Sequence, residues 1–174
     1  MSPPTQLSVS YIPEEDRLLL RVGFAAEEAQ FWLTRRFVQL SWPVLTGAVR
    51  YGPPVAPQQV APVMAPAARE ELHAFQREAA LQQADFATRY DTQRTPVWTG
   101  PVLATEFGLQ NNAQGQPVMA IRNGAGVGIE LVLDVGLHAG LVRLIEQAVA
   151  QSGWALELAQ ENAGAAPVAA KAVH

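Results

Sequence analysis

The chain has 174 residues with no cysteine, 49% hydrophobic and 16% charged, and a formal net charge of −4. That length suits one domain with an ample core, and the missing thiols exclude disulfides, iron–sulfur clusters and cysteine nucleophiles. The acidic balance argues against a general grip on nucleic-acid backbone, which takes a basic face, and leaves room for a local basic patch.

Met1–Gln6 lacks the basic and apolar regions of a signal peptide. No apolar run approaches the roughly 20 residues that span a bilayer. A soluble, cytoplasmic protein is therefore expected, with one domain over residues 1–160 and a disordered Ala-rich tail over 161–174.

Leu7, Val9 and Tyr11 alternate with Ser8 and Ser10, the period of a half-buried strand. Pro13–Asp16 reads as a turn. Arg17–Phe24 is a second strand, with Leu18, Leu20, Val22 and Phe24 on one side. The short polar connection makes these two strands an antiparallel hairpin. Gln30–Thr34 reads as a third short strand.

From Arg35 the apolar positions Phe37, Val38, Leu40, Trp42, Leu45 and Val49 suit a buried helix. Pro43 breaks one ladder bond within it and can kink it. Residues 51–66 carry five prolines and read as a spacer loop. Pro66 then opens an amphipathic helix over 67–90. Its apolar stripe is Leu72, Phe75, Ala79, Gln82, Phe86 and Tyr90.

Residues 91–100 read as a loop. Val102–Gln110, Pro117–Arg122 and Val127–Leu133 then form a three-stranded meander, joined by turns at Asn111–Gly115 and at Asn123-Gly124. Asp134 caps a helix over 137–152, whose buried face is Leu141, Leu144, Ile145, Ala148 and Val149. Gly153 ends it. Trp154–Leu158 adds a short edge strand.

The pieces amount to an α+β fold: an antiparallel sheet or small β-sandwich of about six strands, with a helical insertion and a C-terminal helix. No residue pattern calls for a metal, a cofactor or a catalytic set. Asn123–Gly128 is rich in glycine, but the run joins two strands. Phosphate loops need the glycines to open a helix, so a hairpin turn is expected. Glu70 and His73 stand three apart on one helix face, but bundle metal sites need that spacing twice. His138 follows Asp134 by one turn and is expected at the surface. His174 ends the chain. Glu14, Glu15 and Asp16 are adjacent, not alternating as calcium ligands must be.

The densest unusual feature is Phe31-Trp32-Leu33-Thr34-Arg35-Arg36-Phe37 with Trp42. Tryptophan and arginine dominate interface hot spots. Trp32, Arg35, Arg36 and Trp42 are therefore the expected contact residues for a protein partner or a second copy of the chain. Two alternatives stand beside this reading. One is a small-molecule binder or enzyme with a site assembled from His138, Asp134 and Glu106. The other is a nucleic-acid-associated scaffold using Arg35, Arg36 and Arg50, which the acidic balance disfavours.

The element order over 7–152 resembles the head domain of the scaffold proteins of eukaryotic end-joining and the centriolar cartwheel. That resemblance implies a non-catalytic assembly role. Helical periodicity stops at Gly153, so the coiled coil that follows those heads is not expected here. Pro13-Glu14-Glu15-Asp16-Arg17-Leu18-Leu19-Leu20 and Trp32-Leu33-Thr34-Arg35-Arg36 also resemble a bacterial family to which no activity attaches. An adaptor or assembly protein that binds a protein partner is the expected function.

Overall fold

The computed structural model describes residues 3–47, 75, 78–79, 89–114, 116–156 and 158. Strands β1 (Gln6–Ile12) and β2 (Arg17–Gly23) form the expected antiparallel hairpin. The Pro13–Asp16 turn closes through the Glu15 N–H to the Ile12 carbonyl and the Asp16 N–H to the Pro13 carbonyl, both at 3.2 Å. Asp16 adopts a left-handed backbone, φ 47. Strand β3 (Glu27–Leu33) begins three residues earlier than the sequence pattern places it. A tight return, in which the Phe24 N–H donates to the Glu27 carbonyl at 2.8 Å, brings Glu27 and Glu28 into the ladder.

Helix α1 (Arg35–Gly47) runs through Pro43 as one element. Pro43 is exposed, and Thr46 Oγ1 donates to the Trp42 carbonyl at 2.9 Å in the same turn. The proline thus sits on the solvent side, where its missing N–H and ring disturb no core contact. The apolar set of this helix is corrected at one position. Phe37, Val38, Trp42 and Leu45 are buried, whereas Leu40 is 59% exposed.

The expected loop over 91–100 contains β4 (Thr95–Pro96), and the single expected strand over 102–110 is two. Strand β5 (Val102–Leu103) pairs with β3, while β6 (Glu106–Asn111) pairs with β7 (Pro117–Arg122). One stretch of chain therefore crosses from one sheet to the other at Ala104 and Thr105. Both β4 and β5 run parallel to β3, which makes the five-stranded sheet mixed where an antiparallel one was expected. The second sheet is the meander β6-β7-β8, with β8 at Gly128–Val132.

Helix α2 (Val135–Ser152) has the expected caps. The Leu137 N–H donates to the Asp134 carboxylate at 2.7 Å, and Gly153 is left-handed at φ 66. The expected edge strand after it does not form among the described residues. Ala155 has φ 49, a backbone that no strand accommodates.

Within the expected 67–90 helix, Phe75, Glu78 and Ala79 are helical; Arg89 and Tyr90 are not. Phe75, assigned to the apolar stripe, is exposed. The rest of that helix, the 51–66 spacer, the 161–174 tail and Val49, Arg50, His73 and His174 lie outside the described residues.

Alternation decides which faces meet. Leu18, Leu20 and Val22 of β2 and Ala29, Phe31 and Leu33 of β3 point inward. Met119 and Ile121 of β7 and Ile129 and Leu131 of β8 do the same from the meander. These join Phe37, Val38, Trp42 and Leu45 of α1 and Leu141, Val142, Ile145, Ala148 and Val149 of α2 in one core cluster. Sheet faces with period 2 and helix faces with period 3.6 can share a core only in such layers. No helix among the described residues is long and apolar enough to cross a membrane.

Candidate interaction surface

Thr34 closes β3 and caps α1. Its Oγ1 accepts from the Phe37 N–H at 3.1 Å, and its carbonyl accepts from the Val38 N–H at 3.0 Å. The cap sets the first helical turn, so Arg35 and Arg36 are its first two residues, and both are exposed. No acidic residue occupies that turn. A helix start favours negative side chains, since its unpaired N–H groups carry partial positive charge. Two arginines there work against the helix. Arg35 is offset by Asp16, whose carboxylate its positive charge helps to keep ionised. Arg36 has no ion-pair partner among the described residues.

Arg36, Gln39, Leu40 and Pro43 follow at helical spacing, and all four are exposed. Leu40 adds a large apolar side chain one turn beyond Arg36. Trp32 lies two residues before the cap, half-buried on the outward face of the mixed sheet. In register beside it stand Leu19 of β2 and the exposed Leu103 of β5. Leu19 is buried at 6% exposure, so Trp32 and Leu103 are the members of this row that reach solvent, near the exposed arginines of α1.

Of the four residues singled out in the sequence, Trp32, Arg35 and Arg36 reach the surface. Trp42 is 4% exposed, and its buried indole N–H has no hydrogen-bond partner among the described residues. It fills the core beneath the arginines. Leu40, assigned to the core, is the exposed member instead. Its position four residues after Arg36 was the available signal.

The second set does not assemble. Asp134 is occupied in capping α2. Glu106 points outward from the meander, opposite Arg122. His138, expected at the surface, is 1% exposed. Its Nε2 donates to the Leu45 carbonyl at 2.8 Å and ties the start of α2 to α1. Burial holds the imidazole below its ordinary range, only partly opposed by that hydrogen bond. Asn123–Gly128 is a hairpin turn, in which Asn123 Oδ1 accepts from the Ala125 and Val127 N–H groups at 3.0 and 2.9 Å. No group of three or more metal-ligating side chains converges among the described residues.

Sequence reasoning missed a polar cluster on the outward face of β1–β3. Glu28 is 3% exposed and accepts from the Tyr90 hydroxyl at 2.8 Å and from Gln30 Nε2. Burial, then the Glu28 bond, pushes the Tyr90 hydroxyl well above its ordinary range. Arg94 stacks on the Tyr90 ring and donates to the Phe24 carbonyl at 2.8 Å and to Gln6 at 2.7 Å. A Cβ at Gly23 would meet the Arg94 guanidinium at 2.9 Å, so glycine makes room for the clamp. Every one of these groups is spent on holding residues 90–97 against the sheet. Glu28 follows Glu27 and precedes Ala29, so nothing in its sequence neighbours marked it as buried.

No family model, no curated protein and no solved structure matches this chain. The functional reading of the chain therefore rests on the geometry above.

Proposed function

We propose that this chain is a non-catalytic adaptor or assembly protein that holds a protein partner at the start of α1. One observation carries the reading. Arg35 and Arg36 stand exposed at a helix start that disfavours them, beside exposed Leu40 and half-buried Trp32. Arg36, which has no ion-pair partner among the described residues, breaks that rule without structural gain, and such exposed residues are where function is sought first. Arginine with tryptophan and a flanking aliphatic is the composition of an interface hot spot. The polar clusters elsewhere are consumed in capping and clamping, which supports binding over catalysis.

The double variant Arg35→Glu, Arg36→Glu tests the reading. Capture of a discrete partner from lysate, or self-association by light scattering, is expected to fall at least ~10-fold, the loss of a hot-spot residue. Arg36→Glu alone serves as the control whose thermal melt is expected to move little, since glutamate suits a helix start and position 36 lacks the Asp16 neighbour that position 35 has. Unchanged capture with an intact fold removes this surface from the proposal.

A further inference from the structure

A second feature lies at the same end of the molecule. After α2 the chain turns at Gly153 and runs through Trp154, Ala155 and Leu156 without regular structure. Trp154 fixes it. Its indole N–H donates to Asp16 Oδ1 at 2.7 Å, and the Tyr11 hydroxyl donates to the same oxygen at 2.9 Å. The Tyr11 and Trp154 rings meet edge to face, 6.0 Å between centroids. One carboxylate on the β1–β2 turn thus anchors a segment 138 residues away in sequence.

Both sides of that anchor carry strain. Asp16 (φ 47) and Ala155 (φ 49) are the two non-glycine residues in left-handed backbone among the described residues. Side chains there clash with their own carbonyls unless the surroundings impose the conformation. The segment is also not flush with the helix before it. An open groove of about 420 Å³ separates Gly153, Ala155, Leu156 and Leu158 from Glu146, Val149 and Ala150 of α2. Trp154 is 5% exposed in the core cluster, and Leu156 and Leu158 pack against that cluster. The segment is thus held by one buried ring and its hydrogen bond, while its backbone is strained and a groove runs alongside. Strain and low local packing mark regions that open before the whole fold does.

We propose that residues 153–156 form a releasable strap, latched to the β1–β2 turn by the Trp154–Asp16 hydrogen bond. Its opening bares the Tyr11 ring and the core packed beneath Trp154. Releasing the latch relaxes both left-handed residues together and leaves the two sheets intact.

Hydrogen exchange followed by NMR on the full chain tests this. In the wild type the Trp154 indole N–H is expected to exchange through an opening with weak denaturant dependence. The Leu19 and Leu20 amides of β2 are expected to exchange only on full unfolding. Asp16→Gly removes the acceptor and frees the backbone, so it should speed indole exchange at least ~10-fold, as for a lost hydrogen bond to a charged acceptor, and leave β2 unaffected. Asp16→Asn keeps an acceptor oxygen and tolerates left-handed backbone, and should fall between. The strap is overturned if indole and β2 amides share one denaturant dependence in the wild type. It is equally overturned if Asp16→Gly speeds both alike.

Discussion

His138 shows how much a single buried polar group can set. Its ring is enclosed between α1 and α2, and Nε2–H holds the Leu45 carbonyl at 2.8 Å. That carbonyl belongs to the last turn of α1, which has no helical partner of its own. The folded chain favours the neutral ring, with its pKa lowered from about 6.5 by burial. The unfolded chain takes up a proton first as pH falls. Stability linked to His138 is therefore full above about pH 6.5 and is lost as pH drops below it. Thermal melts between about pH 7 and 5 should show Tm falling, and His138→Gln should flatten that slope. An identical slope in the variant would place the titration elsewhere.

Trp42 and Asp16 are opposite cases of the same accounting. Trp42 keeps a large apolar ring in the core with an N–H that has no partner among the described residues. Asp16 is exposed yet strongly engaged. The Trp154 bond, then the Tyr11 bond, hold its carboxyl below the usual range, and Tyr11 is raised in turn.

Among the elements, the meander depends on close backbone approach. A Cβ at Gly128 would lie 2.0 Å from the Ile121 carbonyl oxygen and 2.7 Å from the Arg122 Cα. Those atoms belong to the neighbouring strand and cannot swing aside. Gly128→Ala should cost at least ~3 kcal/mol, the upper end for forced overpacking, read by chemical denaturation. A loss under ~1 kcal/mol would show that β7 and β8 can part locally. Helix α1 is governed by the same balance at a different price. Its packing through Phe37, Val38, Trp42 and Leu45 outweighs two arginines and a proline that a lone helix would resist.

For the whole molecule, the two sheets share one core, so neither should unfold alone. All four tryptophans, Trp32, Trp42, Trp98 and Trp154, lie outside the meander strands. Met119 of β7 is fully buried in the common cluster. Met119→Ala should cost ~2–5 kcal/mol and shift the tryptophan fluorescence transition together with the far-ultraviolet circular dichroism. Transitions that separate would show two independently folding sheets.

Strands β1, β2, β7 and β8 and the capped helix α2 were legible because they answer to local rules. Alternation marks the strands, Asn123-Gly124 marks a hairpin, and Asp134 and Gly153 cap a helix from adjacent atoms. The α+β class follows from their order, and so did the arginine pair and Trp32 as surface candidates. Long-range pairing was not legible. The parallel seats of β4 and β5 on β3, the break at Ala104, the burial of His138 and the exposure of Leu40 depend on what lies opposite in space. So do the Glu28–Tyr90–Arg94 clamp and the Asp16–Trp154 latch, which join residues 62 and 138 positions apart. Periodicity says that a side chain has a face, whereas only the packed structure says which surface that face meets.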